Sequence, residues 1–200
     1  MRKVGWLSLI LAAALLACTP EKALSPEQAV YLKLSQREKI VTRSIQVIPA
    51  VQLGDSYFVF VGYNLYSQNK QKQDLGDKCT ALYEVARINS GWEVSGHGTG
   101  CSTNPYTDVL GTHGGTDLNY AQGNGTFSFA GGETAIADAY WVEVVWEDNT
   151  TQRVPVVAEH FIALQDGSHK PHAYVVLDEN GEETYRQAVP EDIDAIEITP

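Results

Sequence analysis

The hydrophobic and polar positions fall into three regimes along the chain. Behind Arg2 and Lys3, Val4 to Ala17 is a run of 14 uncharged, mostly apolar residues. A short positive head followed by such a run is the layout of a secretory signal peptide, and the run falls short of the ~20 residues that a membrane-spanning helix requires. The second regime is helical. Ser25-Pro26-Glu27-Gln28 combines an N-cap serine, a proline at the first helical position and a glutamine three residues after the cap. With Ala29, Leu32 and Ile40 as an apolar stripe, it predicts one helix over about 26–38 that joins the N-terminal stretch to the rest of the chain.

From Ser44 the period becomes two. Ile45, Val47, Val51 and Leu53 lead to the turn signal Gly54-Asp55 and then to SYFVFVGYNLY, residues 56–66. Tyr57, Val59, Val61, Tyr63 and Leu65 fall on one side of that segment and Phe58, Phe60 and Tyr66 on the other, so the strand is expected to be buried on both faces. The polar segment 67–78 reads as a loop, and residues 79–101 as a hairpin of strands about 79–88 and 91–96 joined at Asn89-Ser90-Gly91. Residues 97–134, rich in Gly, Thr, Asn and Ser, read as one long loop interrupted by a short strand in GTFSFAG, with glycine supplying turns.

Further on, Ile136, Tyr140, Val142, Val144 and Trp146 share one face, and Trp141, Glu143 and Val145 the other. Glu147-Asp148-Asn149 turns the chain, Val154 and Val156 return it, and Pro155 implies an edge position or a strand start. Residues 172–186 predict a last hairpin at Asn180-Gly181. About eight to ten short strands of this kind argue for an all-β, antiparallel β-sandwich with one short N-terminal helix. Ala135 to Arg186 loosely resembles the immunoglobulin-like modules of bacterial surface lipoproteins, without the Cys…Trp…Cys spacing of antibody domains.

Leu15-Leu16-Ala17-Cys18 resembles the lipobox of bacterial lipoproteins. That resemblance implies that the signal peptide, residues 1–17, is cut before Cys18, that the Cys18 sulfur carries a diacylglycerol, and that the new N-terminus is acylated, with palmitate a typical chain. Two or more acyl chains anchor stably, where one holds only marginally. Residues 18–25 would then be a tether, and 26–200 the helix plus sandwich, either one domain or two packed β subdomains at about 40–105 and 124–200. Removing residues 1–17 takes Arg2 and Lys3 from the 14 basic residues, so 12 face 25 acidic ones and the net charge moves from −11 to −13. Such a surface repels nucleic acid. With Cys18 given to lipid, Cys79 and Cys101 remain as a pair in an oxidising compartment and are expected to form a disulfide, closing a loop of about 20 residues.

Chemistry-bearing patterns are sparse. The histidines are His97, His113, His160, His169 and His172. Pro171 makes His169-Lys170-Pro171-His172 a loop, and Glu159-His160 lacks the second histidine of a zinc-protease helix, so solvated loop histidines and no metal site are expected. Asp178-Glu179-Asn180-Gly181 reads as a turn and lacks the ligand spacing of a calcium loop. Ser102, His97 and Asp108 can be grouped as nucleophile, base and acid, but no Gly-x-Ser-x-Gly elbow supports the choice, and the glycines of GHGTGC and GTHGGT lack a phosphate-loop context. Among Trp92, Trp141 and Trp146, Trp141 is the best candidate for a sugar-stacking platform because it alternates away from Tyr140 and Trp146. The leading expectation is a membrane-anchored extracytoplasmic lipoprotein with a non-catalytic binding or structural role, no cofactor, and an envelope protein or polysaccharide as partner. A carbohydrate-binding surface module and a metal-assisted hydrolase are the alternatives.

Overall fold

The computed structural model describes residues 23–66, 75–89, 91–102, 110–121 and 125–189. Cys18, the lipobox and Asp108 lie outside them, as do the side chains of His97, Cys101 and Ser102. The described residues form antiparallel sheets and a single short α-helix, α1 (Pro26–Ser35). In the first sheet, β1 (Gln46–Val47) and β2 (Val51–Leu53) both pair with β3 (Ser56–Tyr66), followed by β4 (Leu75–Ile88) and β5 (Gly91–Ser102). The middle sheet has the order β10 (His160–Asp166), β7 (Thr126–Thr134), β6 (Leu110–Asn119). The outer sheet runs β12 (Glu183–Ala188), β11 (Pro171–Leu177), β8 (Trp141–Trp146), β9 (Thr151–Pro155). The sandwich therefore has three sheets, with α1 as a fourth layer, and the span 135–186 alternates between the middle and outer sheets rather than closing on itself.

Three apolar clusters hold these layers together. Ala29, Val30 and Leu34 of α1 pack on Val59, Val61, Tyr63, Ala81, Tyr83 and Val85. The opposite face of the first sheet sends Phe58, Phe60 and Leu82 against Phe127, Phe129, Ile162 and Leu164 of the middle sheet. The far face of the middle sheet, with Leu110, Ala130, Phe161 and Ala163, meets Val142, Val144, Trp146, Val154, Tyr174 and Val176 of the outer sheet. Each fully buried side chain of this size contributes roughly 1.5–3 kcal/mol. As the sequence predicts, β3 is buried on both faces, one set under α1 and the other under the middle sheet.

The Gln28 amide donates to the Ser25 hydroxyl at 3.2 Å, a cap of about 1 kcal/mol. The Gln28 side chain accepts from Leu24 N–H at 2.6 Å, one residue upstream of the usual partner. The helix stops at Ser35, short of the predicted 38, and its buried stripe is Ala29, Val30 and Leu34, with Leu32 only half-buried. It covers a sheet face rather than serving only as a connector.

Glycine is the main source of departures from expectation. Most of 97–134 is not loop: β5 continues to Ser102, and β6 and β7 fill much of the rest. Leu75–Lys78, expected in a loop, opens β4. The glycines here mostly permit close approach instead of turning the chain. A Cβ on Gly132 would overlap the carbonyl oxygen of Gly111 on the neighbouring strand. The 178–182 connection is also wider than a two-residue Asn-Gly turn. Asp178 Oδ1 accepts the amides of Asn180 and Glu182, each at 2.9 Å, and Gly181 takes φ +83°. Those backbone donors, Glu182 foremost, hold the Asp178 carboxyl below the usual carboxylate range despite some desolvation. Pro155 ends β9, the edge strand, as expected.

Candidate functional site

The layer between the first and middle sheets changes from apolar to polar along its length. The change begins at a tight turn, Val157 to His160, closed by His160 N–H to Val157 O at 3.0 Å and Val157 N–H to His160 O at 2.8 Å. Both central residues have positive φ, Ala158 at 49° and Glu159 at 68°. Asn-Gly is the usual occupant of such a turn, and a left-handed residue with a Cβ costs about 1–2 kcal/mol. This conformation places Ala158 O 2.7 Å from His160 Nδ1. A carbonyl only accepts, so Nδ1 carries the proton and a neutral ring presents Nε2 as an acceptor. His160 is fully buried, and among the described residues its Nε2 has no hydrogen-bond partner. The ring fits because β3 has glycine opposite it: a Cβ at Gly62 would stand 2.6 Å from Nε2.

Strand register assembles the neighbours. His160 lies across from Glu133, and His113 lies across from Gly131 on the other side of β7. Lys78 of β4 reaches across the layer to ion-pair with Glu133 Oε1, leaving Oε2 buried and without a hydrogen-bond partner among the described residues. Desolvation pushes the pKa of His113 down, opposed by the Glu133 charge and reinforced by His160. Lys78, His113, Glu133 and His160 thus come from four strands in two sheets to form a half-dry, proton-holding polar end. Among the described residues no three His, Cys, Asp or Glu side chains converge as metal ligands, so this arrangement lends no support to the hydrolase alternative. Expecting solvated histidines fails here: a glycine on one sheet facing a histidine on another, far apart in sequence, leaves no local signal.

Other candidate residues are dispersed. Cys79 is fully buried in the layer under α1 and is disulfide-bonded, with Cys101 directly opposite in the register. Directly opposed residues in an antiparallel pair have Cα separations of about 4.5–5.5 Å, within disulfide reach. Trp141 is half-buried on the outer face of β8, edge-to-face with Tyr140 at 5.2 Å, and Tyr140 is 52% exposed, not part of the buried face as its spacing suggests. His172 is exposed. His169 Nδ1 lies 3.5 Å from Asp148 Oδ2, and its backbone N–H donates to Ser128 Oγ at 2.9 Å. This set only superficially resembles a serine-hydrolase triad, because the fully buried Ser128 hydroxyl donates to Gly167 O at 2.8 Å and serves as a backbone clip.

At one end of the first sheet, Ala23, Leu24, Arg87, Ile88, Asn89, Gly91 and Trp92 line an open depression of 610 Å³. No known protein family, curated protein or solved structure matches this chain.

Proposed function

We propose that the protein is a lipoprotein of the bacterial cell envelope, acylated at Cys18 and facing the periplasm or exterior, with a domain that has a non-catalytic binding or structural role. The observation carrying this reading is the disulfide at Cys79 with Cys101 opposite. Pairing those two leaves Cys18, directly behind Leu15-Leu16-Ala17, as the one cysteine free for lipid, and a buried structural disulfide belongs to an oxidising compartment. Cys18→Ser should abolish incorporation of labelled palmitate and either release the protein from the membrane fraction or block its processing; unchanged labelling and partition would overturn the proposal. In the purified mature protein a free-thiol count of zero is expected, and two reactive thiols would refute the Cys79–Cys101 bond.

One observation favours an envelope polysaccharide as the partner: Tyr140 and Trp141 form an aromatic pair on the outermost face of the stack. Retention on immobilised envelope polysaccharide should then drop with Trp141→Ala.

A further inference from the structure

Five large hydrophobic side chains are markedly exposed among the described residues: Leu24 at 84%, Tyr31 at 41%, Tyr66 at 54%, Ile88 at 39% and Tyr140 at 52%. The aliphatic two, Leu24 and Ile88, both line the depression at the end of the first sheet. Trp92 lies beside them, stacked edge-to-face on Tyr57 at 4.9 Å, with the Arg87 guanidinium 5.9 Å from the Trp92 ring centroid. The entering chain is pinned there, because a Cβ on Gly91 would come within 2.8 Å of Ala23 O. An aliphatic pair, an amphipathic indole and a long-stemmed cation suit a membrane interface, where the apolar parts enter and the charge stays with the headgroups.

Tether length gives this surface its occupant. Five peptide units separate Cys18 from Ala23, a reach of roughly 17–18 Å when fully extended. A headgroup layer takes up about 5–8 Å of that, leaving a slack of about 10 Å, less than the ~30 Å spanned by the 56–66 strand alone. We infer that the Leu24–Ile88–Trp92 end of the first sheet docks on the bilayer that holds Cys18, setting the sheets upright on the membrane. The inference rests on the anchoring proposed above. Asp55 and Glu93 are exposed at the same end, and the mature chain is net acidic, so apolar insertion into a zwitterionic surface holds the contact, not attraction to anionic lipid.

The test uses the acylated, processed protein on vesicles of phosphatidylcholine and phosphatidylethanolamine, with an acylated Leu24→Glu/Ile88→Glu chain as the comparison; both substituted positions are exposed, so the fold should be kept. Cosedimentation reads the anchor and backbone hydrogen exchange reads the docking. Both proteins should cosediment, and the amides of 91–93 should exchange at least threefold more slowly in the parent than in the double variant. Thr42–Ser44, at the far end of β3, should exchange equally in both. Equal exchange at 91–93 with full cosedimentation overturns the docking and leaves the anchor standing. A parent chain that does not cosediment overturns both.

Discussion

On one face of the middle sheet Leu110, Ala130, Phe161 and Ala163 meet the outer sheet in an apolar layer around Trp146. On the other face Phe127, Phe129, Ile162 and Leu164 begin an equally apolar layer, which gives way to Lys78, Glu133, His113 and His160. The same strands build both faces: adjacent residues of β10, His160 and Phe161, are both fully buried and point opposite ways. One layer is built almost wholly of aliphatic and aromatic side chains. The other holds titratable groups, an orphaned buried nitrogen and a turn with two left-handed side-chain-bearing residues, features that lower stability and concentrate where a fold does something other than persist.

The largest effect should follow from breaking the apolar layer. Trp146 is 1% exposed within it, and Trp146→Ala should cost about 3–5 kcal/mol, read as a lower urea midpoint at unchanged slope. A loss below ~1 kcal/mol would show that this layer does not carry the stability its packing implies.

A smaller loss is expected at the polar end. Gly62→Ala would drive a methyl group towards His160 Nε2, where a Cβ has only 2.6 Å, and overpacking of this kind costs about 1–3 kcal/mol. His160→Ala in the same background should restore part of that loss. Failure of the second change to compensate would mean that the two sheets do not meet through this pair.

The third test asks whether only one of the two layers is sensitive to pH. Burial holds the pKa of His113 below the ~6.5 of an exposed histidine. Between those two values the unfolded chain binds the additional proton, so the His113 contribution is fully present above ~6.5 and is lost as pH falls from there to its folded value. Groups facing it pull both ways: Glu133, held by Lys78, favours its protonation and His160 opposes it. Carboxylates with depressed pKa values, such as Asp178 and Asp148, lose their contributions at lower pH, so the window just below 6.5 isolates the histidine. Urea unfolding at pH 7.5, 6 and 5 should show falling stability that His113→Gln flattens. An unchanged slope in that variant would remove His113 as the cause.

What could be read in advance follows the same division. Strand β3 announced its two buried faces because Phe58 and Phe60 interleave with Val59 and Val61; the alternation is local and each residue carries its own signal. β10 carries a similar run in Phe161, Ile162, Ala163 and Leu164, but no strand is expected there from the sequence. The glycine-rich strands β5 and β6 have no such signal, because glycines such as Gly96 of β5 and Gly115 of β6 act through what distant residues bring near them, Ala121 in one case and the Phe129 ring in the other. The polar end was hidden for the same reason. Lys78, His113, Glu133 and His160 span 83 positions from first to last, and no spacing rule relates them; only the stacking of two sheets does.

The smallest expected effect tests the turn itself. Glu159 holds φ 68° with a Cβ, whereas glycine adopts that region without steric cost. If the turn is merely tolerated, Glu159→Gly should stabilise the fold by up to about 1 kcal/mol, offset in part by the greater freedom of glycine in the unfolded chain. Glu159 also supplies the backbone oxygen that accepts from Thr134 N–H at 2.9 Å, a bond that glycine keeps, so the substitution changes the strain and little else. A gain in midpoint with the His113-dependent pH response intact would separate strain from proton binding. A loss of that response would mean that the strained turn is what keeps His160 pressed against Gly62, and hence what makes this layer differ from the apolar one behind it.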